Sequence, residues 1–292
     1  MKIKESFGSK LFNWFNVLLM SLITFVTLYP ILHVIFASFS DGNKLLAHIG
    51  ILLWPIDFNF DAYVYVFKDA MILRGYMNTI IIVATTLVIN IILTSFAAYF
   101  LSRKQAYGRN VVTFFMMLTM YFSGGIVPLY FTILDLGLYN SWWAVILTSG
   151  ISTYNTIILR TAFVSVPDAL VESAQIDGAG HMTILFKVVL PLSKATLAVI
   201  ILYYLVGHWN EWFAASIFLR DKLKRPLQLM LREILIESSA GEEAGVQADQ
   251  AQAVSETVKY AIIVVASFPV MCIYPFLQKY FAKGAMIGAV KG

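Results

Sequence analysis

Long apolar stretches without charged residues alternate with short hydrophilic segments along this chain. A helix needs about 20 apolar residues to cross the hydrocarbon core of a bilayer. Five stretches of about that size contain no Asp, Glu, Lys or Arg, and a sixth is interrupted only by Glu211. They are residues 12–40, 75–102, 110–134, 136–159, 195–219 and 260–278. The pattern predicts an all-α membrane protein with six transmembrane helices.

The composition points to the same class of protein. Of the 292 residues, 59% are hydrophobic and 13% are charged, and the mean hydropathy is +0.76. Since a soluble domain has roughly 25% charged residues, this chain cannot cover a water-exposed surface. Cys272 is the single cysteine, so a disulfide-rich secreted module is excluded as well.

The basic residues indicate how the chain lies in the membrane. The formal charge is +4, but Lys and Arg cluster beside the apolar stretches, as in membrane proteins, so we expect no nucleic acid partner. The first apolar stretch is far longer than the roughly 7–15 residues of a signal-peptide core, which predicts a retained helix. Slightly more than half of the basic residues fall inside if both termini are cytoplasmic. We therefore predict a multi-pass protein of the cytoplasmic membrane, N-in and C-in.

The hydrophilic segments divide the chain into regions. We expect the segment after the first helix to be a folded cap outside the cytoplasm, because it mixes acidic with aromatic residues. The predicted regions are 1–40 (N-terminal segment and first transmembrane helix), 41–74 (the periplasmic or extracellular cap), 75–278 (a core with five further transmembrane helices, a cytoplasmic loop 165–191 and an external loop 220–259) and 279–292 (a cytoplasmic C-terminal tail).

The external loop begins with a basic cluster and continues as a helix. Pro226 suits a first helical turn, and apolar residues then recur on one face. These residues are Leu227, Met230, Leu231 and Ile234. Residues 238–256 are rich in Gly, Ala, Gln and acidic residues and have no aromatic residue, which predicts a mobile excursion.

The cytoplasmic loop predicts a helix-turn-helix. Ser165 and Asp168 have the spacing of a capping box, and Gly178 or Gly180 can end the first helix. Pro191 predicts a kink where the chain enters the membrane. The apolar face of the second helix is expected at i, i+3, i+4 and i+7, namely Met182, Leu185, Phe186 and Val189. The hairpin either projects into a partner's cleft or lies as an amphipathic hairpin on the bilayer.

The same loop resembles a known family. The residues Glu172-Ser-Ala-x-x-Asp177-Gly178-Ala179, followed by Phe186 and Leu190-Pro191, resemble the EAA loop of permease subunits in bacterial ATP-binding-cassette (ABC) importers. Ser173 stands where the family usually has alanine, and Ala195 where a proline is common. The runs Gly124-Gly125-Ile-Val-Pro128 and Trp209-Asn210-Glu211-Trp212, and residues 279–292, are similar to carbohydrate permeases, including alginate importers.

The resemblance implies a type I ABC importer permease fold with a cytoplasmic EAA coupling-helix hairpin. Glu172 would pair with a basic residue of an ATPase, Gly178 would form the turn, and Phe186 would anchor the second helix. The implied ATPase-coupling residues are Glu172, Ala174, Asp177, Gly178, Ala179, Phe186 and Pro191. The tail would insert between the ATPases, and residues 238–256 would enter the cleft of the binding protein.

The resemblance also implies partners. They are a second homologous permease subunit, two ATPase subunits, an extracellular or periplasmic sugar-binding protein, a carbohydrate substrate and membrane lipid. The chain has no G-x-x-x-x-G-K-[ST] motif to hold ATP phosphates, so ATP and Mg are expected on the partner ATPases. We expect this chain to bind no cofactor or metal, and to be a transport subunit without enzymatic activity.

Glu211 needs a reason to lie in an apolar stretch, because an acidic residue at the centre of a span costs about 2.5–3.5 kcal/mol. It either lines a sugar pathway, with tryptophans stacking on sugar faces, or bonds a neighbouring helix or water at the membrane interface. The candidate pathway residues are Trp209, Asn210, Glu211, Trp212, Tyr121, Tyr154 and Asn155. For the tyrosines, interfacial or packing roles are the default. Asn78 and Asn90 are interpreted as helix-packing groups.

Two other function classes fit the sequence less well. A secondary transporter would need internal repeats and several embedded ionisable groups, and only Glu211 is available. A membrane-embedded enzyme would need converging catalytic groups, which His33, His208 and Glu211 do not form. The substrate stays open: the basic cluster Lys222, Lys224 and Arg225 favours either an acidic saccharide or simple solvation of a loop.

Overall fold

The computed structural model describes residues 7–243, 256–273 and 275, and all the regular secondary structure in these ranges is helical. The helices are α1 (Phe7–Ser38), α2 (Gly42–Ala47), α3 (Asp61–Lys68), α4 (Ala70–Ser102), α5 (Arg109–Tyr121), α6 (Ile126–Asp135), α7 (Trp142–Thr148), α8 (Thr153–Val164), α9 (Asp168–Ile176), α10 (His181–Leu192), α11 (Lys194–Trp209), α12 (Phe213–Phe218), α13 (Leu227–Glu243) and α14 (Glu256–Ile273). The predicted all-α class is confirmed.

Three of these helices, α1, α4 and α14, are long and apolar enough to cross a membrane by themselves. Two pairs of consecutive helices are bent at a short break, and each pair adds one crossing if it counts as one span. The axes of α5 and α6 differ by 114°, and those of α10 and α11 by 87°. Within the described ranges there are therefore three to five candidate spans, and the predicted number of six stays a prediction.

Three of the apolar stretches are not single helices. Residues 110–134 are interrupted before Gly125, whose φ of +81° a right-handed helix cannot contain. Residues 136–159 form α7 and α8, because the hydroxyls of Ser141 and Ser152 each cap the helix that follows. Residues 195–219 are divided between α11 and α12. Apolar composition therefore located membrane segments without revealing the breaks inside them.

The chain forms two compact units, Met1–Ala70 with Glu233–Ser267 and Met71–Arg232 with Phe268–Gly292. In the first unit, the segment predicted to form a cap contains the short helices α2 and α3. The Phe39 ring stacks on Tyr63 at 4.8 Å, and the Tyr63 hydroxyl contacts Ser38 Oγ at 2.8 Å. Burial raises the pKa of Tyr63. Lys44 forms an ion pair with Asp57, whose hydrogen bond and charge raise the pKa of Lys44.

In the second unit, α4 is the central element. Near its end, Ala98 and Tyr99 pack with side chains from α8, α10 and α11 in one buried cluster. Towards its beginning, Ile82 packs with residues of α7, α12 and α13 in another. The helix therefore contacts both the α9–α10 loop region and the interrupted fifth stretch, and it positions both candidate sites.

The helix predicted after Pro226 is present as α13. Leu227 and Met230 of its predicted apolar face are buried, whereas Leu231 and Ile234 are half-buried. The helix α13 continues to Glu243, into residues 238–256, and the expected mobile excursion stays a prediction. Residues 244–255 and the tail, residues 279–292, lie outside the described ranges.

Candidate functional site

The first candidate site is the hairpin of α9 and α10, whose turn is set by local hydrogen bonds. Gly178 has φ of +81°, the left-handed conformation that glycine adopts without strain. The Gly178 N–H donates to Gln175 O at 3.0 Å, and the Ala179 N–H donates to Ala174 O at 2.9 Å. This pair of bonds is the Schellman motif, which ends a helix. Gly178 therefore makes the turn, whereas Gly180, with φ of −73°, does not.

The start of the hairpin differs from the prediction. Ser165 does not cap α9: it ends α8, and its hydroxyl donates to Ala162 O at 2.7 Å. Pro167 occupies the cap position of α9 without a side-chain hydrogen bond. The Asp168 carboxylate instead accepts from Lys104 Nζ at 3.2 Å. The capping-box prediction is wrong because Ser165 remains bonded to the preceding helix.

The second helix buries a different face from the one predicted. Leu185 and Val189 are buried as expected, but Ile184 joins them, and Met182 and Phe186 are 59% and 54% exposed. Nearly every position from Met182 to Leu190 is apolar, so periodicity alone could not decide the face. Residues Leu185–Val189 form a π-helical turn inside α10, a feature often found at functional sites.

Polar and aromatic contacts fix the hairpin to the end of α4. The Tyr99 hydroxyl contacts His181 Nδ1 at 3.2 Å, and the Phe96 and Phe186 rings meet edge to face at 6.2 Å. A groove of about 770 Å³ lies between the two elements, and Glu172 is among its lining residues. Glu172 and Asp177 are exposed. The base of the hairpin is therefore packed while its acidic tip is open.

The other predicted coupling residues have distinct surroundings. Ala174 and Ala179 pack half-buried against the core cluster that includes Tyr99. Pro191 is exposed, and the chain bends by 87° between α10 and α11, two residues beyond it. The predicted kink therefore lies next to this proline.

The second candidate site is the break between α11 and α12. Glu211 Oε1 accepts a hydrogen bond from the Ala214 N–H at 2.9 Å, so its carboxylate caps the start of α12. Asn210 ends α11, and its Nδ2 donates to Val206 O at 2.9 Å. A carboxylate at a helix start is also favoured by the helix dipole. Sequence reasoning missed this capping role because it did not anticipate a break.

The two tryptophans of this run lie in different environments. Trp209 is 5% exposed, and its ring meets that of Tyr76 edge to face at 5.8 Å. Trp212 is half-buried, with the guanidinium of Arg232 at 3.5 Å from its ring centroid. The structure therefore does not present both indoles on one open surface.

The remaining pathway candidates lie around α5 and α8. Tyr121, at the end of α5, is 82% exposed, and Tyr154 on α8 is 55% exposed, whereas Asn155 is buried. The hydroxyls of Thr119 and Thr153 lie 3.3 Å apart and bring these two helices together. The non-helical residues 122–125 beyond Tyr121 are exposed in the single chain.

A row of buried polar residues on α4 joins this helix to its neighbours. Asn78 Nδ2 donates to Leu223 O at 2.8 Å and to Arg225 O at 2.9 Å. Asn90 Nδ2 donates to Ser149 O at 2.7 Å, and its Oδ1 contacts His208 Nε2 at 2.5 Å. Both asparagines thus pack helices and loops together, as interpreted. Sequence reasoning missed the buried threonines of the row, although residues 79, 86, 90 and 94 recur on one face of a helix.

The described residues contain no group of three or more His, Cys, Asp or Glu side chains that could hold a metal ion.

Comparison with known proteins identifies the kind of protein that carries these features. The family model described as "Binding-protein-dependent transport system inner membrane component" matches residues 90–286. The chain belongs to this family. It is 40% identical over 273 residues to the polygalacturonan/rhamnogalacturonan transport system permease protein YtcP of Bacillus subtilis (strain 168), covering 91% of this chain and 93% of YtcP. It is also 36% identical to Protein LplC of the same organism, over 98% of this chain and 96% of LplC.

A solved structure shares the fold as well. It is the crystal structure of a bacterial ABC transporter involved in the import of the acidic polysaccharide alginate, with a TM-score of 0.86 and 32% identity, covering 96% of this chain and 100% of that chain. This inner membrane component is therefore a permease of the type that the EAA-like loop indicated. Its family consists of transport permeases and not of enzymes. The predicted multi-pass location in the inner membrane is confirmed, and the N-in, C-in orientation stays a prediction.

Proposed function

We propose that this chain is a permease subunit of an ATP-driven importer that moves an oligosaccharide or polysaccharide across the cytoplasmic membrane. Similar permeases in Bacillus subtilis (strain 168) are named for galactooligosaccharides and maltodextrin as well as for polygalacturonan. Because the saccharides in these names differ, they support a carbohydrate as the class of substrate. The partners are a second homologous permease, two ATPase subunits that hold ATP and Mg, and a sugar-binding protein outside.

The observation that carries the coupling role is the attachment of the hairpin to α4. Its base lies in a buried cluster shared with α4, α8 and α11, and its tip is an exposed, acidic Schellman turn. Interiors are close-packed and transmit strain. A force applied at the tip therefore moves these helices together. We assign ATPase contact to Glu172, Asp177 and Gly178, and support of the hairpin to Ala174, Ala179, Phe186 and Pro191.

The breaks in the apolar stretches support a transport pathway. Non-helical backbone at membrane depth is tolerated only where it is buried in protein or lines a water-filled cavity. Residues 122–125 and 210–212 are such segments. We propose that they face the pathway or the second permease, with Tyr121 and Tyr154 available to stack on sugars, Asn155 beside them, and Asn210 and Glu211 near Trp209 and Trp212.

We further propose six crossings with both termini in the cytoplasm. The bent pair of α5 and α6 forms one crossing, α7 with α8 forms another, and α11 with α12 forms the fifth. This arrangement places the hairpin inside the cell. Residues 41–70 and α13 then lie outside, where residues 238–256 can meet the binding protein and residues 279–292 remain on the ATPase side.

Cross-linking in the assembled complex tests the proposal. Cys272 is first replaced by alanine, and Ser173→Cys is introduced on the exposed face of α9. We expect this cysteine to cross-link to an ATPase subunit that carries its own engineered cysteine. The matched control is Ile49→Cys in the proposed outer cap, where the side chain is also exposed.

The control should react only with a membrane-impermeant reagent added from outside. The same complex is then screened for ATPase stimulation by binding protein loaded with acidic or neutral oligosaccharides. Labelling of Ser173→Cys from outside, or stimulation by no saccharide, would contradict the proposal.

A further inference from the structure

A small cavity lies between α4, α7 and the break between α11 and α12. Its volume is about 10 Å³, and the space is of the size that a single water molecule requires. Its polar lining consists of Thr79, Thr86, Ser149, His208 and Glu211. Thr86 is 1% exposed. The cavity is therefore a confined polar site inside an otherwise apolar region.

The hydroxyl groups around the cavity already donate their protons to backbone carbonyls. Thr79 Oγ1 donates to Gly75 O at 2.9 Å and accepts from the Leu227 N–H at 2.8 Å, so its proton and one of its two lone pairs are used. Thr86 Oγ1 donates to Ile82 O at 2.7 Å, and Ser149 Oγ donates to Val145 O at 3.1 Å. The oxygens of Thr86 and Ser149 keep lone pairs that can accept.

The tautomer of His208 also follows from its hydrogen-bond partner. The Asn90 amide donates through Nδ2 to Ser149 O at 2.7 Å, so Oδ1 is the atom that faces His208. An amide oxygen only accepts, which assigns the proton to His208 Nε2. That proton is therefore given to Asn90. The imidazole is held further by Tyr204, whose ring lies parallel to it at 5.8 Å.

Glu211 completes an acceptor-rich lining. Carboxylate oxygens accept hydrogen bonds, and the bond that Glu211 accepts from the Ala214 N–H leaves further acceptor capacity. The cavity thus offers acceptors on Glu211, Thr86 and Ser149, while the assigned protons of its lining point elsewhere. A guest of the right size has to be a hydrogen-bond donor, such as water, or a small cation.

We propose that one water molecule binds in this cavity and donates to the Glu211 carboxylate and to the hydroxyl oxygen of Thr86. The water links Glu211 to α4 and so holds the carboxylate where it caps α12. Thr86, Asn90 and His208 are then positioning residues for the break in the fifth stretch. Only the transport readout of this inference rests on the proposed function.

Variants of Thr86 test the role in the assembled importer with both permeases, the ATPases and the binding protein. Thr86→Val keeps the side-chain shape but removes the hydroxyl, and Thr86→Ser keeps the hydroxyl. We expect the saccharide transported per ATP to fall about fivefold in Thr86→Val, the effect of one lost buried hydrogen bond, and to be retained in Thr86→Ser. Thr132→Val is the matched control, since the exposed Thr132 hydroxyl donates to Pro128 O at 2.9 Å in the same local way. We expect it to match the wild type.

A high-resolution structure of the wild-type complex tests the water directly, whether or not a variant assembles. The complex is prepared once in buffer with sodium and once in sodium-free buffer. We expect density for one water within hydrogen-bond distance of Glu211 in both structures. Density that requires sodium, no density, or full coupling in Thr86→Val would overturn the proposal. A wild-type complex that shows the water but transports no saccharide would refute the proposed function alone.

Discussion

Two regions packed on α4, the hairpin at its end and the polar site along its middle, show two ways in which this chain builds a functional element. In the hairpin, the turn is made by consecutive residues, since the bonds of Gly178 and Ala179 reach back only to Gln175 and Ala174. The polar site instead joins Asn90, Ser149, His208 and Glu211, which are far apart in the sequence. The hairpin is therefore a local structure that is attached to the core, whereas the polar site exists only through tertiary contacts. Substitutions in the two regions should fail in different ways.

The largest effect is expected for Gly178→Val. A β-branched residue in the left-handed conformation is strained by about 1–2 kcal/mol, so the turn should rearrange and displace the acidic tip. We expect transport to fall more than tenfold, together with the loss of saccharide-stimulated ATP hydrolysis, while membrane insertion is unchanged. Saccharide uptake into vesicles measures the loss of transport, and an ATPase assay on the same preparation measures the loss of stimulated hydrolysis.

A matched glycine separates coupling from general strain. Gly108 also has a positive φ, of +75°, and open space at the position that a Cβ would take. Gly108→Val should insert and hydrolyse ATP in response to saccharide much as the wild type does. Equal defects in both variants would mean that the hairpin tip has no special role.

The next largest effect is expected for Glu211→Leu, which removes the carboxylate that caps α12. The loss of a helix cap costs about 0.5–2 kcal/mol, and the Ala214 N–H loses its partner. We expect about a tenfold loss of transport and a lower melting temperature of the purified complex. Glu211→Gln keeps an acceptor oxygen and should retain most of the stability. If Leu and Gln behave alike, the capping role is wrong.

A smaller effect is expected for Tyr99→Phe, which removes only the hydroxyl that contacts His181. A typical intramolecular hydrogen bond contributes about 1 kcal/mol, so the saccharide transported per ATP should fall by up to about fivefold. The fully exposed Tyr107 provides the control variant Tyr107→Phe. An unchanged ratio in Tyr99→Phe would show that packing alone attaches the hairpin to α4.

The smallest effect is expected for Lys104→Gln. Its ion pair with Asp168 joins side chains that are 73% and 66% exposed, and exposed pairs contribute about 0–1 kcal/mol. Transport should stay within about twofold of the wild type at physiological salt. A tenfold loss would instead indicate that Lys104 contacts a partner subunit.

Sequence reasoning succeeded where the physical signal is local or cumulative. The lack of charge over residues 75–102 predicted the long helix α4, and the EAA-like residues led to the correct family. Gly178 was one of two glycines proposed for the turn, and its conformation shows that it forms it. These inferences need no knowledge of which distant residues meet.

The same reasoning failed where neighbours outside the segment decide. Ser165 has the spacing of a cap, but α8 retains it. Met182 was predicted on the buried face of α10, but it is exposed, and Ile184 is buried instead. The first outcome is decided by the hydrogen bond that Ser165 makes within α8, and the second by packing of α10 in the cluster shared with α4.

What the sequence determined by itself is the class of the protein and the parts that neighbouring residues build: apolar segments long enough for a bilayer, and a glycine turn with acidic residues at its tip. Burial of apolar surface and local hydrogen bonds depend on residue type and spacing, which can be read directly. The tertiary structure alone decided that the fifth stretch is broken, that Glu211 caps a helix there, and that Asn90 and His208 meet behind it. A polar group in an apolar segment has to find a partner, and only the packing of distant helices determines which partner is within reach.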